Sequence, residues 1–188
     1  MYDAAGTDPS KRLALFEQNQ DVISARDDSL AHEIALLVSV GKYDEAIQRL
    51  TGREFSVWEG ANLDVAGNWT DAHILRGRER LSAGKATGAL ADFQAALQIP
   101  SNLPSEGVEL SGRESEIEYW IGEAYRALGK PDEARTHWLK SAGYQPGVHD
   151  YYRACSLRAL GQTEQANTIF GDLTARGDKA LIGYCRIP

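Results

Sequence analysis

The sequence predicts an all-α fold built as an array of antiparallel helix hairpins. The first observation behind this prediction is a pattern that occurs four times: Gly, then Ala five residues later, then a large apolar residue four residues after the Ala. The second is a helical period of apolar residues before the glycines, as in Ile117, Ile121, Ala124 and Leu128. The four sets are Gly41/Ala46/Leu50, Gly84/Ala89/Phe93, Gly129/Ala134/Trp138 and Gly161/Ala166/Phe170.

Each residue type in this pattern has a physical reason. Gly reaches positive φ, so it can end one helix and begin a tight turn. Ala is small, so the next helix can approach its partner closely, and the bulky residue one turn later fills the space between the two helices. Each unit is therefore predicted to be a helix–turn–helix hairpin.

The first residues of the chain are predicted to lead into such hairpins. Pro9 suits the first position of a helix, with Thr7 or Asp8 as its N-cap. A cap is expected at each end of the array because terminal hairpins otherwise expose apolar faces. The predicted organisation is a partial N-terminal hairpin or cap over 1–27, four repeat units over 28–176, and a C-terminal cap or truncated helix over 177–188.

Two long linkers are predicted between the units, near 52–63 and 99–114. The repeat glycines are 43, 45 and 32 residues apart, whereas one common two-helix repeat has a period of about 34 residues. About nine extra residues therefore lie in the first linker and about eleven in the second. The second linker is rich in Pro, Gly and Ser, which is typical of a loop.

The first linker carries two large rings, Phe55 and Trp58. We favour the interpretation that they fill a gap between hairpins, with Asn62 or Asp64 capping the next helix. The alternative is that Trp58 and Glu59 form an exposed recognition loop.

Composition narrows the function classes. The net charge of −7 and the pI near 5.1 argue against broad contact with nucleic acid, which needs a basic face. No apolar run approaches the roughly 20 residues that cross a bilayer, so no membrane partner is predicted. No signal peptide is visible, and we expect a cytoplasmic location.

The sequence predicts no catalytic, metal or cofactor site. The two cysteines, Cys155 and Cys185, are far apart and form no C-x-x-C motif. The four histidines lack metal-binding spacings, and no phosphate-binding or nucleophile motif occurs. Cys155 is expected to be a small buried residue rather than a nucleophile.

The segment Ser115–Pro146 resembles a tetratricopeptide repeat. It matches the family pattern at Ile121, Gly122, Tyr125, Gly129, Ala134, Trp138 and Pro146. The resemblance implies a right-handed superhelical solenoid, in which Gly122 lies where two helices cross too closely for a side chain. The other three units resemble the pattern less fully, and the resemblance covers most of residues 28–175.

The order of segments also resembles the C-terminal helical region of a group of bacterial proteins. In that group a β-rich domain of unknown function, suspected of carbohydrate processing, precedes the repeats. The triplet Trp58-Glu59-Gly60 carries much of this resemblance. No activity of the β-rich domain transfers to the helical region.

The resemblance to tetratricopeptide repeats implies a concave groove lined by the first helix of each hairpin. Aligning the repeat glycines with the family pattern gives the positions that would contact a ligand. They are Asp71, Arg78, Glu116, Tyr119, Glu123, Arg126, Tyr151 and Arg158, together with Ile74, Leu81 and Cys155. The Lys and Asn set that the family uses to clamp chaperone tails is not recognised here.

A run of three arginines, Arg76, Arg78 and Arg80, lies in one predicted first helix. We favour a solvated face with ion pairs, for which Glu79 and Asp71 are near enough in sequence. The alternative is a site for an anionic ligand.

The function predicted from these observations is a noncatalytic helical-repeat scaffold. It would bind a protein segment or another domain of its parent protein through the groove. The alternative is an accessory part of the substrate site of a carbohydrate-active enzyme in a longer parent chain. Self-association through the ends of the array is a third prediction.

Overall fold

A computed structural model describes residues 8–56, 64–103 and 112–176. Within these ranges the regular structure consists of ten α-helices, without a β-strand. None of these helices combines the length and the apolar character that crossing a membrane requires. The helices are α1 (Pro9–Glu17), α2 (Gln20–Ile23), α3 (Asp27–Ser39), α4 (Tyr43–Thr51), α5 (Val65–Ser82), α6 (Ala86–Ala96), α7 (Glu114–Ala127), α8 (Pro131–Gly143), α9 (Asp150–Ala159) and α10 (Thr163–Ala175).

The chain divides into two compact units. The first comprises Met1–Arg76 with Gln98–Glu109, and the second comprises Gly77–Leu97 with Leu110–Pro188. The division falls inside α5, so the last turns of that helix belong to the second unit.

The turn prediction is confirmed at all four repeat glycines. Gly41, Gly84, Gly129 and Gly161 have φ between 71° and 82°, in the left-handed region. At each turn the residue after the glycine donates its N–H to the carbonyl five residues earlier, as Lys130 does to Tyr125 at 3.0 Å. This bond satisfies a carbonyl at the end of the preceding helix. The turns join α3 to α4, α5 to α6, α7 to α8 and α9 to α10.

The packing predicted for the repeat alanines is also confirmed. All four, Ala46, Ala89, Ala134 and Ala166, have no exposed surface. Each is therefore fully enclosed by neighbouring atoms, as a close contact between helices requires.

Two hairpins cross so closely that glycine is required on the first helix. A Cβ added to Gly122 would lie 2.5 Å from Trp138 Cδ1, and one added to Gly77 would lie 2.5 Å from Phe93 Cε1. Both rings are buried. The close approach predicted at Gly122 is thus confirmed.

The last hairpin has a different crossing. Ala154 takes the place of the crossing glycine and is fully buried, and it clusters with the half-buried ring of Phe170. Where the glycine is replaced by a residue with a methyl group, the aromatic ring is less deeply buried.

In the first unit the side chain of Asn102 connects two segments that are distant in sequence. Its amide donates to the carbonyls of Leu50, at 2.8 Å, and Arg53, at 2.7 Å. The Phe55 N–H donates to the Asn102 carbonyl at 3.2 Å. Residues of the two predicted linkers are therefore hydrogen-bonded to each other and to the end of α4.

The ring of Phe55 is buried, as predicted for one of the two linker aromatics. Trp58, Glu59 and Asn62 lie outside the described residues, so both interpretations of the recognition loop stay predictions. Asp64 precedes α5 and accepts a hydrogen bond from the Gly67 N–H at 3.0 Å, which confirms its capping role.

The start of α1 follows the sequence prediction. Asp8 accepts a hydrogen bond from the Ser10 N–H at 2.7 Å, and Pro9 occupies the first helical position. Residues 1–7 and 177–188, including Thr7 and the predicted C-terminal cap, lie outside the described part of the chain.

In the second unit three buried serines join α7, α8 and α9. Ser115 and Ser141 each donate to the other's backbone carbonyl, at 3.0 and 2.8 Å, and Ser156 donates to the Ser141 hydroxyl at 2.7 Å. Each hydroxyl proton thus has an acceptor, as burial of polar groups demands. Small polar residues here allow close approach of three helices without an unsatisfied donor.

Candidate binding face of the second unit

Five aromatic rings from three helices of the second unit form a continuous series of contacts, which we call the aromatic row. The row begins on α7, passes to α9 and ends on α10. Its members in order of contact are Trp120, Tyr119, Tyr152, Tyr151 and Phe170.

The rings of the row pack mainly edge to face. The centroid of Tyr119 is 5.1 Å from that of Trp120 and 5.6 Å from that of Tyr152. Tyr151 is 5.2 Å from Tyr152 and 5.6 Å from Phe170. These separations are those of favourable aromatic pairs, each worth about 0.5–1.5 kcal/mol beyond area burial. The row therefore links the first helices of two hairpins into one packed surface.

An arginine stacks on the ring at each end of the row. The guanidinium carbon of Arg78, in the last turns of α5, lies 4.9 Å from the Trp120 centroid. That of Arg158, near the end of α9, lies 5.3 Å from the Phe170 centroid. Arg78 is half-buried and Arg158 is exposed. Both guanidinium groups thus make cation–π contacts.

Glu116, one of the predicted groove residues, is mostly buried and already engaged. Arg113 Nε donates to its Oε2 at 2.6 Å, and the Tyr152 hydroxyl donates to its Oε1 at 2.7 Å. Burial, and then the nearby charge of Glu116, raise the pKa of Tyr152 far above its ordinary value. Tyr152 is consequently a neutral hydrogen-bond donor, and Glu116 positions it.

Glu123 and Arg126, predicted for the same face of α7, pair with each other. Arg126 donates to Glu123 Oε2 at 2.6 Å, and this hydrogen bond raises the pKa of Arg126. The Glu123 side chain is 13% exposed and that of Arg126 is 63% exposed. Arg126 therefore presents its remaining donors to solvent while Glu123 is held beneath it.

Cys155 of α9 lies near Glu123 and Arg158. It is buried, as predicted. Burial raises the pKa of its thiol to about 12, with the charge of Glu123 acting in the same direction and that of Arg158 opposing it. The thiol is therefore neutral at physiological pH, and the thiolate is the reactive form of cysteine.

Tyr151 is also buried, inside a cluster with Cys155 and Leu173. Its ring supports the aromatic row from within. Tyr119 is half-buried and packs against this cluster. Of the predicted groove residues, the second unit thus brings Arg78, Tyr119 and Arg158 together through one series of contacts.

Asp71, the remaining predicted groove residue, is half-buried on the part of α5 that belongs to the first unit. In the same unit Arg76 pairs with Asp44. In the second unit Arg80 donates to the buried Asp92 at 2.8 Å. The ion pairing expected of the arginine run is thus confirmed for Arg76 and Arg80, with Asp44 and Asp92 as partners, but Asp92 is buried and not part of a solvated face.

A buried polar group on α7 and α8 escaped the sequence prediction. Glu118 Oε2 lies 2.5 Å from His137 Nδ1, and Lys140 Nζ lies 3.7 Å from Glu118 Oε1. The His137 ring stacks on Tyr125, with centroids 5.2 Å apart. Only the antiparallel register of α7 against α8 brings these residues together.

Trp120 also escaped the prediction. The repeat pattern has no aromatic signature at this position, so the pattern gives no signal for this ring. Its ring contacts Arg78 and Tyr119 as above and lies 6.0 Å from Phe93 of α6. No three His, Cys, Asp or Glu side chains of the described residues are grouped so that they could hold a metal ion.

Two hairpins of the second unit match a known protein family. The family model described as tetratricopeptide repeat matches residues 116–142 and residues 150–176. The first range spans nearly all of α7 and α8, and the second spans α9 and α10. No solved structure matches the chain. The helices from Glu114 to Ala175 thus form two consecutive helical hairpins that match tetratricopeptide repeats.

Proposed function

We propose that this chain is a noncatalytic scaffold that binds an extended protein segment across the first helices of its hairpins. The observation that carries the proposal is the surface formed by α7, α9 and the end of α5. There Tyr119, Arg126 and Arg158 lie on helices that match repeats of a family known for protein interaction. Phe170 of α10, a second helix, completes the aromatic row beside Arg158.

The partner segment belongs to another protein or to another domain of a longer parent chain. The resemblance to bacterial proteins with an N-terminal β-rich domain names one such domain. Because tetratricopeptide repeats usually lack catalytic groups, the chain contributes binding and no reaction. The neutral thiol of Cys155 supports this view.

The proposal is tested by selecting peptides on the folded chain from a random display library. Binding of a selected peptide is then mapped by amide hydrogen exchange. We expect added protection in α7 and α9 and little change on the exposed faces of α8 and α10. Protection confined to α8 and α10, or failure to obtain any peptide that binds more tightly than about 1 mM, would refute the proposal.

Oligosaccharides provide the comparison for the alternative function. The same exchange measurement is made with a panel of neutral and charged oligosaccharides. Protection of α7 and α9 by an oligosaccharide, with none by any peptide, would favour the accessory carbohydrate site over the scaffold.

A further inference from the structure

The two arginines at the ends of the aromatic row carry charges that the described part of the chain does not neutralise. Arg78 contacts Trp120 and Arg158 contacts Phe170 through cation–π geometry, and neither has a carboxylate of a described residue within ion-pair distance. We infer that this face binds an acidic segment, whose carboxylates pair with Arg78 and Arg158. The inference rests on the proposed function and adds the chemistry of the partner.

Stacking on a ring leaves the N–H donors of each guanidinium available to a ligand. The ring attracts the flat face of the cation, whereas the N–H donors of arginine point outward in its plane. Two parallel N–H groups match the two oxygens of a carboxylate, and such bidentate pairs are among the stronger hydrogen bonds. Trp120 and Phe170 therefore orient Arg78 and Arg158 without occupying their donors.

The carboxylates near this face are already paired. Glu116 accepts from Arg113 and Tyr152, and Glu123 accepts from Arg126. Each pair contributes about zero net charge.

Asp150, at the start of α9, is likewise engaged with Arg153 at 2.8 Å and Arg176 at 3.0 Å. Burial favours its neutral form, but a hydrogen bond from Gly147 and the two arginines outweigh burial and lower its pKa. The face therefore keeps an excess positive charge within a chain of net charge −7.

The distance between the two arginines sets the spacing of the two carboxylates in the bound segment. Three ring contacts, with centroids 5.2–6.5 Å apart, connect Trp120, which contacts Arg78, to Phe170, which contacts Arg158. Steps of this size along one face separate the two arginines by roughly 16–20 Å. An extended chain covers about 3.3 Å per residue, so the matching carboxylates are about five or six residues apart. Tyr119 lies between the two arginines along the row.

Three fluorescein-labelled peptides of equal length test the inference on the whole chain. The first has two glutamates about six residues apart in an alanine–serine background. The second has the two glutamates adjacent, and the third has glutamines at the spaced positions. We expect fluorescence anisotropy to show that the spaced glutamate peptide binds about tenfold more tightly than either of the others.

Two charge-removing variants and one matched control assign the effect to residues. Arg78→Gln and Arg158→Gln should each weaken binding of the spaced peptide about five- to tenfold and abolish its advantage over the adjacent peptide. Arg135→Gln removes an arginine from α8 that is exposed, as Arg158 is, and should change nothing. Circular dichroism checks that each variant remains folded.

The outcomes separate the inference from the proposed function. Equal binding of the glutamine and glutamate peptides would overturn the acidic partner while leaving a peptide-binding scaffold in place. Equal weakening by Arg135→Gln would also overturn it, because the attraction would then be general. If none of the three peptides binds below about 1 mM, the acidic partner is refuted, and the display selection decides the proposed function independently.

Discussion

Replacing Gly122 with alanine tests the close crossing of α7 and α8. The added Cβ would lie 2.5 Å from Cδ1 and Nε1 of Trp138 and 3.1 Å from its Cε2. The indole is buried, so either the ring or the helix must shift, and overpacking of this kind costs about 1–3 kcal/mol. Alanine also stabilises a helix interior by about 1 kcal/mol relative to glycine. The net expectation is a loss of about 0–2 kcal/mol in the free energy of unfolding.

A matched substitution separates these two contributions. Gly171 lies inside α10, is exposed, and has nothing within 4 Å of an added Cβ. Gly171→Ala should therefore gain the helix-propensity term of about 1 kcal/mol without the steric cost. The difference between the two variants, about 1–3 kcal/mol, measures the steric cost of the crossing.

Urea unfolding followed by far-ultraviolet circular dichroism provides the measurement. We expect Gly122→Ala to lower the midpoint relative to Gly171→Ala, with a similar slope for both. Adding Trp138→Leu should make the alanine at Gly122 less costly than it is beside the indole, because the ring no longer obstructs the methyl group. Equal stabilisation by the two alanines would refute the packing derived for this hairpin.

Three further predictions concern other features. Gly129→Ala should lower the free energy of unfolding by about 1–2 kcal/mol, because its φ of 71° is strained for a residue with a Cβ; Gly129→Asn should lower it less in the same urea experiment. Asn102→Ala should cost about 1–3 kcal/mol in thermal or urea unfolding, since its amide supplies two hydrogen bonds to backbone carbonyls. In a Cys185→Ser background, Cys155 should resist a thiol reagent in the folded chain at pH 8 and react on unfolding, because burial raises its pKa to about 12; rapid reaction of the folded chain would contradict this.

The hairpin pattern was predictable because its causes are local or nearly so. A glycine turn is read from one residue, and the Ala and ring positions follow from the helical period within about ten residues. That is why the positive φ at Gly129 and the burial of Ala134 were both predictable. The N-cap at Asp8 was predictable for the same reason.

The partners of charged and polar side chains were harder to predict. Arg80 pairs with Asp92, twelve residues away on the opposite helix, and Asn102 reaches carbonyls about fifty residues earlier. Such pairs depend on helix rotation and on the path of the linkers, and neither is encoded in a residue pattern. Trp120 shows the same difficulty, because its contact with Arg78 arises only when successive hairpins stack.

The glycine–ring crossings restrict the order in which these hairpins can change over evolutionary time. At Gly122 a methyl group costs less stability once the indole of Trp138 has been replaced by a smaller side chain, so the opposite order of substitution passes through a less stable protein. The same order of substitution applies to Gly77 and Phe93, because a Cβ at Gly77 would also lie too close to the ring. The last hairpin does not have this restriction, because Ala154 stands at the crossing position and the ring of Phe170 is only half-buried.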